Sequence, residues 1–382
     1  METNSKPIYN KKLILKRIDT PLLVTTIALV VIGIMMIIST SSSVGFAAHH
    51  DSYYFIRRHF MYLGIALCTL WMGMCIPHTW YKDRIWWLLG IGTVLVMMTM
   101  IPGIGVMAFG ARRWLNLGIM TFQPVEWLKF CVIVFAAKAI SAKPGIMQSF
   151  RKGLLPLFCV IGVPLLITAK QPDLGNVLLM SAVVFCLLFV GQARIRYLLG
   201  GVGVGVGLVS VSVLIFPYQL QRIKTFLNPF DDPLGKSYHI IQSFTAIGSG
   251  GLLGRGLGEG KLKYAYLPLQ FSDFVFSIVC EEGGFVLASI VLLLLGLFLI
   301  RGFGIARRAA LPFSYYLAIG LTLQIVLQSL INIAVATGVF PTKGIPLAFI
   351  SFGGSSLIMS LFVVGVLLNI SMLSIQKKPP HS

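Results

Sequence analysis

Residues 274–300 read FVFSIVCEEGGFVLASIVLLLLGLFLI, apolar throughout except for Glu281 and Glu282 and a few small residues. A helix needs about 17–25 such residues to cross the ~30 Å hydrocarbon core of a bilayer. In lipid only helices and closed barrels satisfy the backbone. The apolar residues here are continuous, not alternating, so the run is a helix.

Reading outward, runs of this kind recur about ten times, near Pro21–Thr40, His59–Ile76, Ile85–Ile101, Val125–Ser141, Leu154–Thr168, Leu174–Val190, Tyr197–Phe216, Phe274–Ile300, Leu311–Val339 and Leu347–Met372. Hydrophobic residues make up 57% of the chain and charged ones 11%. A soluble domain carries about 25% charged residues, so this composition cannot build a water-facing surface. The fold class is an all-α integral membrane protein, a polytopic bundle of about ten transmembrane helices. Residues 1–20 form a cytoplasmic tail, 21–373 one transmembrane domain and 374–382 a second cytoplasmic tail. Residues 217–272 form a large extracytoplasmic loop between spans seven and eight. Gly200–Gly207, with glycine at alternate positions, predicts close helix packing in the seventh span.

Lys and Arg set the orientation. A cytoplasmic N-terminus collects Lys6, Lys11, Lys12, Lys16 and Arg17 inside, with Lys82, Arg84, Lys138, Arg194, Arg196, Arg301, Arg307 and Arg308. The net charge of +19 is then mainly a topology signal, and no basic soluble domain exists to bind nucleic acid. The first run precedes no small-residue cleavage site and is not read as a cleaved signal. Six cysteines without a CxxC pair and six scattered histidines predict no structural metal.

Four polar segments fall at the outer face. In Gly110–Lys129, Arg112 and Arg113 beside Trp114 form an interfacial cationic patch suited to a lipid phosphate. Glu126 and Lys129, three apart after Pro124, make either an internal ion pair or part of that patch. In Lys170–Gly175, Asp173 is placed to cap the following helix. The 217–272 loop is long enough to be functional or disordered, and its aromatics and glycines argue for order. Asp273 ends it, a lone carboxylate ringed by Arg and Lys; it either caps the eighth span or does chemistry. In the fourth segment Lys343 adds a cation, and Gly353–Gly354 predict a broken or closely packed helix.

The blocks QRIKTFLNPFDDPLGKSYHIIQSFTAIGSGGLLGRGLG (221–258), YLPLQFSDFVFSIVCEEGGF (266–285) and NIAVATGVFPTKGIPLAFISFGGSS (332–356) resemble the SEDS family of polytopic cell-wall glycosyltransferases (FtsW, RodA, SpoVE). The likeness runs from the first span to the last. Its Pro341-Thr-Lys-Gly344 is closer to the division-type FtsW branch. The resemblance implies polymerisation of lipid II into glycan strands at the outer face of the cytoplasmic membrane, with Asp273 as the essential carboxylate. It also implies a class B penicillin-binding protein as partner, with other divisome proteins and membrane lipid around it. The family's Pro-Glu-Ala-His-Thr-Asp reads Pro268-Leu-Gln-Phe-Ser-Asp273 here, so Leu269 and Phe271 replace a carboxylate and an imidazole. His239 stands for the usual Gln and Asn176 for the usual Thr.

One carboxylate suits such a reaction. A sugar hydroxyl needs a base to attack an anomeric carbon, whereas a lipid pyrophosphate leaves as a stable anion and needs no acid. Arg112, Arg113, Lys129, Arg222, Lys224, Lys263 and Lys343 are the candidates to hold that pyrophosphate. Trp114 lies among them, and a divalent cation such as Mg or Mn is a further candidate. Glu126, Asp173, Glu281, Glu282 and Ser355 are expected in supporting positions. Two other readings stay open: a flippase for a lipid-linked precursor, which predicts charges at the membrane midplane, and a division scaffold with weakened catalysis.

Overall fold

The computed structural model describes residues 18–374 except 109–110, 119, 216, 234, 236, 261–272 and 343. Each of the ten apolar runs overlaps a helix: α1 (Thr20–His49), α2 (Tyr54–Cys75), α3 (His78–Met98), α4 (Pro124–Ile140), α5 (Leu155–Lys170), α6 (Leu174–Val190), α7 (Ile195–Ile215), α10 (Val275–Arg308), α11 (Pro312–Ala336) and α12 (Gly354–Ser374). Five described helices are each long and apolar enough to cross a membrane, and α2 with α3, bent by 111°, adds a sixth candidate. The chain is a multi-pass, mainly helical membrane protein.

Four local features differ from the sequence reading. The stretch before α4 is a three-stranded antiparallel sheet in the order β1 (Gly105–Ala108), β2 (Ala111–Asn116), β3 (Thr121–Phe122). The 217–272 segment carries two α-helices in its described part, α8 (Pro217–Leu227) and α9 (Tyr238–Gly250), with a short 3-10 turn (Pro229–Asp231) between them. The last helix begins at Gly354, so Leu347–Gly353 is not helical. Gly200, Gly201, Gly203, Gly205 and Gly207 face open space, not a packed neighbour.

Helix α12 is buried along nearly its whole length and forms the centre of the bundle. Its Gly365 and Gly73 of α2 bring the two backbones together: a Cβ at Gly73 would stand 2.7 Å from the Phe362 carbonyl. Close approach through small residues is how helices pack where lipid removes the hydrophobic drive. Helix α10 is broken at Gly284 (φ 63°, ψ −166°), a conformation open to glycine. Residues 251–256 satisfy the backbone groups this break exposes. Arg255 N donates to Glu281 O (2.9 Å), Gly256 N to Glu282 O (3.1 Å), Phe285 N to Gly251 O (3.0 Å) and Val286 N to Leu252 O (3.1 Å).

One end of the bundle gathers the residues read as cytoplasmic. His78 bonds Ser314 Oγ at 2.6 Å and Asn369 Oδ1 at 2.9 Å, tying α3 to α11 and α12. Asp19 caps α1, accepting from Leu22 N at 3.2 Å, and also accepts from Arg301 (3.1 and 2.8 Å) and Arg308 (2.7 Å). Burial alone would raise the Asp19 carboxyl, but the two guanidiniums and the cap bond outweigh it and hold it below the usual carboxylate range. A carboxylate with a lowered folded-state pKa adds stability above its unfolded value and loses it as pH falls through the folded one. Asp19→Asn is therefore expected to destabilise the protein by about 1–2 kcal/mol at pH 7, discounted for the half-exposed arginines. Melting of wild type and variant at pH 7 and below pH 3.8 checks this: the gap should shrink as the pH drops, and a gap independent of pH would refute it.

Candidate functional site

The opposite end of the bundle holds Asp273. The capping position of α10 falls on Phe274, with no side-chain cap, so Asp273 is not the cap of this helix. Its main-chain carbonyl accepts from Asn332 Nδ2 of α11 at 2.9 Å. The same amide nitrogen donates to Ile345 O at 2.7 Å. Gly344 has φ +64°, and a Cβ there would stand 3.4 Å from Asp273 Oδ2. The half-buried carboxylate thus faces the Pro341–Pro346 segment.

Next in the chain, Phe274 packs with Ala246, Val335 and Phe340. It stacks on His239 of α9, with centroids 6.3 Å apart and planes 18° apart. Ser243 bonds Ser277 and donates to Ala336 O at 2.6 Å, so α9 fastens the start of α10 to the end of α11. Burial pushes the His239 imidazole below its ordinary pKa, which keeps it neutral at pH 7.

Gly344 lies beside Asp273, and the described residues from there to Gly353 form turns and bends, not regular helix. Irregular backbone at membrane depth persists only where protein groups satisfy it. Gln328, one turn before Asn332, donates to Pro346 O at 3.1 Å and Ser356 Oγ at 3.0 Å. Ser351 Oγ accepts from Leu347 N at 2.9 Å. Arg222 of α8 donates to Thr342 O at 2.9 Å.

The predicted residues divide between this end and the interior. Lys129 is 1% exposed; its ammonium contacts Glu126 Oε1 and Gln328 Oε1, both at 2.9 Å. It is a buried partner of Glu126 and not part of a surface patch. Arg113 occupies a bulge in β2, opposite the Val106/Met107 step. A bulge re-aims a side chain, and Arg113 reaches Gln171 O (3.2 Å) and Pro172 O (2.8 Å), bracing the turn before α6. Asp173 caps α6 and accepts from Asn176 N (3.4 Å) and Nδ2 (2.9 Å). Ser355 accepts from Gln123 N at 2.9 Å and donates to Thr121 O at 3.3 Å, joining α12 to β3. Glu281 and Glu282 are fully buried beside the α10 break, and Glu282 accepts from Ser39 of α1 at 2.5 Å.

Arg112 and Trp114 stay half-buried on β2. Lys224 is exposed at a cleft of about 340 Å³ that includes Asn228, Asp231 and Asp232. Lys263 and Lys343, with Leu269 and Phe271, lie outside the described residues. Among the described residues no three His, Cys, Asp or Glu side chains come together as a metal cage. The sequence reading passes over Gln328 and Asn332 as site residues. A signal for them exists: Gln324, Gln328 and Asn332 repeat every four residues within an apolar helix, a polar stripe on one face.

Comparison with known proteins adds the lineage. The family model FTSW_RODA_SPOVE, described as "Cell cycle protein", matches residues 20–376. The chain belongs to this family. A Geobacter sulfurreducens member named "Probable peptidoglycan glycosyltransferase FtsW" is 39% identical over 358 residues, covering 94% of this chain and 96% of that protein. The Bacillus subtilis "Stage V sporulation protein E" is likewise 39% identical, covering 93% of this chain and 97% of its own length. A chain of the solved structure "Structural coordination of polymerization and crosslinking by a peptidoglycan synthase complex" is 29% identical. It superposes with a TM-score of 0.77 over 94% of this chain and 99% of that one.

Proposed function

We propose that this FtsW/RodA/SpoVE family member is a peptidoglycan glycosyltransferase that polymerises lipid II in division-type wall synthesis. The observation that carries the reading is Asp273: a carboxylate that does not cap its helix, fixed at the main chain and facing an irregular segment rich in Pro and Gly. In the reaction the Asp273 carboxylate takes the proton of the acceptor 4-hydroxyl. The oxygen bonds to C1 of the donor sugar, and the C1–O bond to the lipid pyrophosphate breaks with inversion. The departing anion carries the electron pair away, so no acid partner is needed.

Of the predicted cations, Arg112, Arg222 and Lys224, with Lys263 and Lys343, remain the ones to hold the pyrophosphate. Lys129 is committed to buried partners, and Arg113 to the carbonyls of the turn before α6. A divalent cation would fit only by drawing most of its ligands from the pyrophosphate and water, with Asp273 as a protein ligand; it would supply charge neutralisation there. The Asp273 end faces outward in a ten-span topology across the cytoplasmic membrane, both termini being cytoplasmic. The partner is a class B penicillin-binding protein, which cross-links the new strand beside other divisome proteins.

The test is polymerisation of purified lipid II by the protein with its cognate transpeptidase. Glycan ladders support the reading. Their absence from a folded, complexed preparation would move the function to lipid transport or scaffolding.

A further inference from the structure

The catalytic assignment does not account for a buried amide on α11. Asn332 is 1% exposed and sits between Ile331 and Ile333 on an apolar stretch of α11. An amide buried there needs partners. Its nitrogen has two, and both are carbonyls of segments that lack regular bonding: Asp273 O at 2.9 Å and Ile345 O at 2.7 Å. An Asn NH₂ carries two hydrogens, so one side chain satisfies both. A hydroxyl has a single hydrogen and a carboxylate none.

The consequence is geometric. Asp273 is held on one side by the bond to its own carbonyl, and on the other by Phe274 in its apolar seat against Ala246, Val335 and Phe340. Ile345, bonded to the same amide, follows Gly344, the residue whose Cβ position lies 3.4 Å from Asp273 Oδ2. One turn earlier Gln328 fastens Pro346 in the same manner. A rigid helix thereby sets the distance between the carboxylate and the segment that faces it.

We propose that Asn332 is a positioning residue for the transfer reaction, its amide holding the Asp273 carboxylate in register with the Pro341–Pro346 segment. This rests on Asp273 being the base. Reacting groups tolerate little displacement: a misplacement of about 1 Å lowers a rate by roughly 10²-fold. An interaction that acts only on the geometry of the base should lower kcat and leave donor binding intact.

The experiment measures kcat and KM for lipid II with the full-length protein in complex with its transpeptidase. The variants are Asn332→Leu, which removes both donors at similar volume, and Asn332→Ser, which keeps one; Asp273→Asn runs in parallel. The expected result for Asn332→Leu is a kcat lower by about 10²-fold with KM changed less than about threefold, in protein that melts as a single folded species. Asn332→Ser should fall between Leu and wild type, and it decides the matter if the Leu variant does not fold. A folded Asn332 variant with wild-type kcat, beside an inactive Asp273→Asn, would overturn the positioning role alone. A loss of activity proportional to the loss of folded protein, with kcat per folded molecule preserved, would overturn it too. An active Asp273→Asn would instead remove the base assignment beneath it.

Discussion

Asp273→Asn is expected to lower the rate of lipid II polymerisation by about 10²–10⁴-fold, the usual contribution of a positioned general base. The amide has nearly the shape of the carboxylate but cannot take the acceptor proton. The bond from Asn332 reaches the main-chain carbonyl and does not depend on the side chain, so the local backbone should be kept. The capping position of α10 falls on Phe274, so the substitution removes no cap, and the melting midpoint separates a loss of the base from a loss of folding. Asp273→Glu keeps the charge but advances it by one methylene, so its rate should fall by roughly 10²-fold through misplacement. Glycan product from lipid II, resolved by length, reads both variants. A near wild-type ladder from Asp273→Asn would show that the proton goes elsewhere.

The helices are legible in the sequence because the signal for a span is length and apolarity, which need no long-range information. Local features without such a signal are not. In β1 and β3, four and two residues are too few to show an alternating pattern. Leu347–Ile350 reads the same whether or not it is helical, since an apolar run does not fix its own conformation; only the structure shows that α12 starts at Gly354. The glycines of α7 read as packing residues, but small size permits contact without supplying a neighbour. Asp273 stands out from the sequence because it is a carboxylate at the edge of a long apolar run. What holds it does not, since Asn332 lies 59 residues further along the chain.

Lys129 shows the same gap between local and distant information, and it separates two readings of one residue. Its spacing from Glu126 predicts either an internal pair or a surface cation. Its second partner, Gln328, lies 199 residues away and makes the position interior. Removing one member of a buried ion pair leaves the other charge without compensation and typically costs about 3–5 kcal/mol. Lys129→Met is therefore expected to destabilise the protein by about that amount, because Glu126, 2% exposed, would lose its ion-pair partner. The double variant Glu126→Gln/Lys129→Met removes both charges and should recover most of the loss. The effect on activity should follow the folded fraction: a pyrophosphate ligand would raise KM for lipid II, whereas an interior ion pair should leave KM nearly unchanged in the molecules that stay folded. Melting of the single and double variants in detergent, with KM measured on the folded fraction, distinguishes the two. A Lys129→Met protein as stable as wild type but with a clearly raised KM would return Lys129 to the substrate.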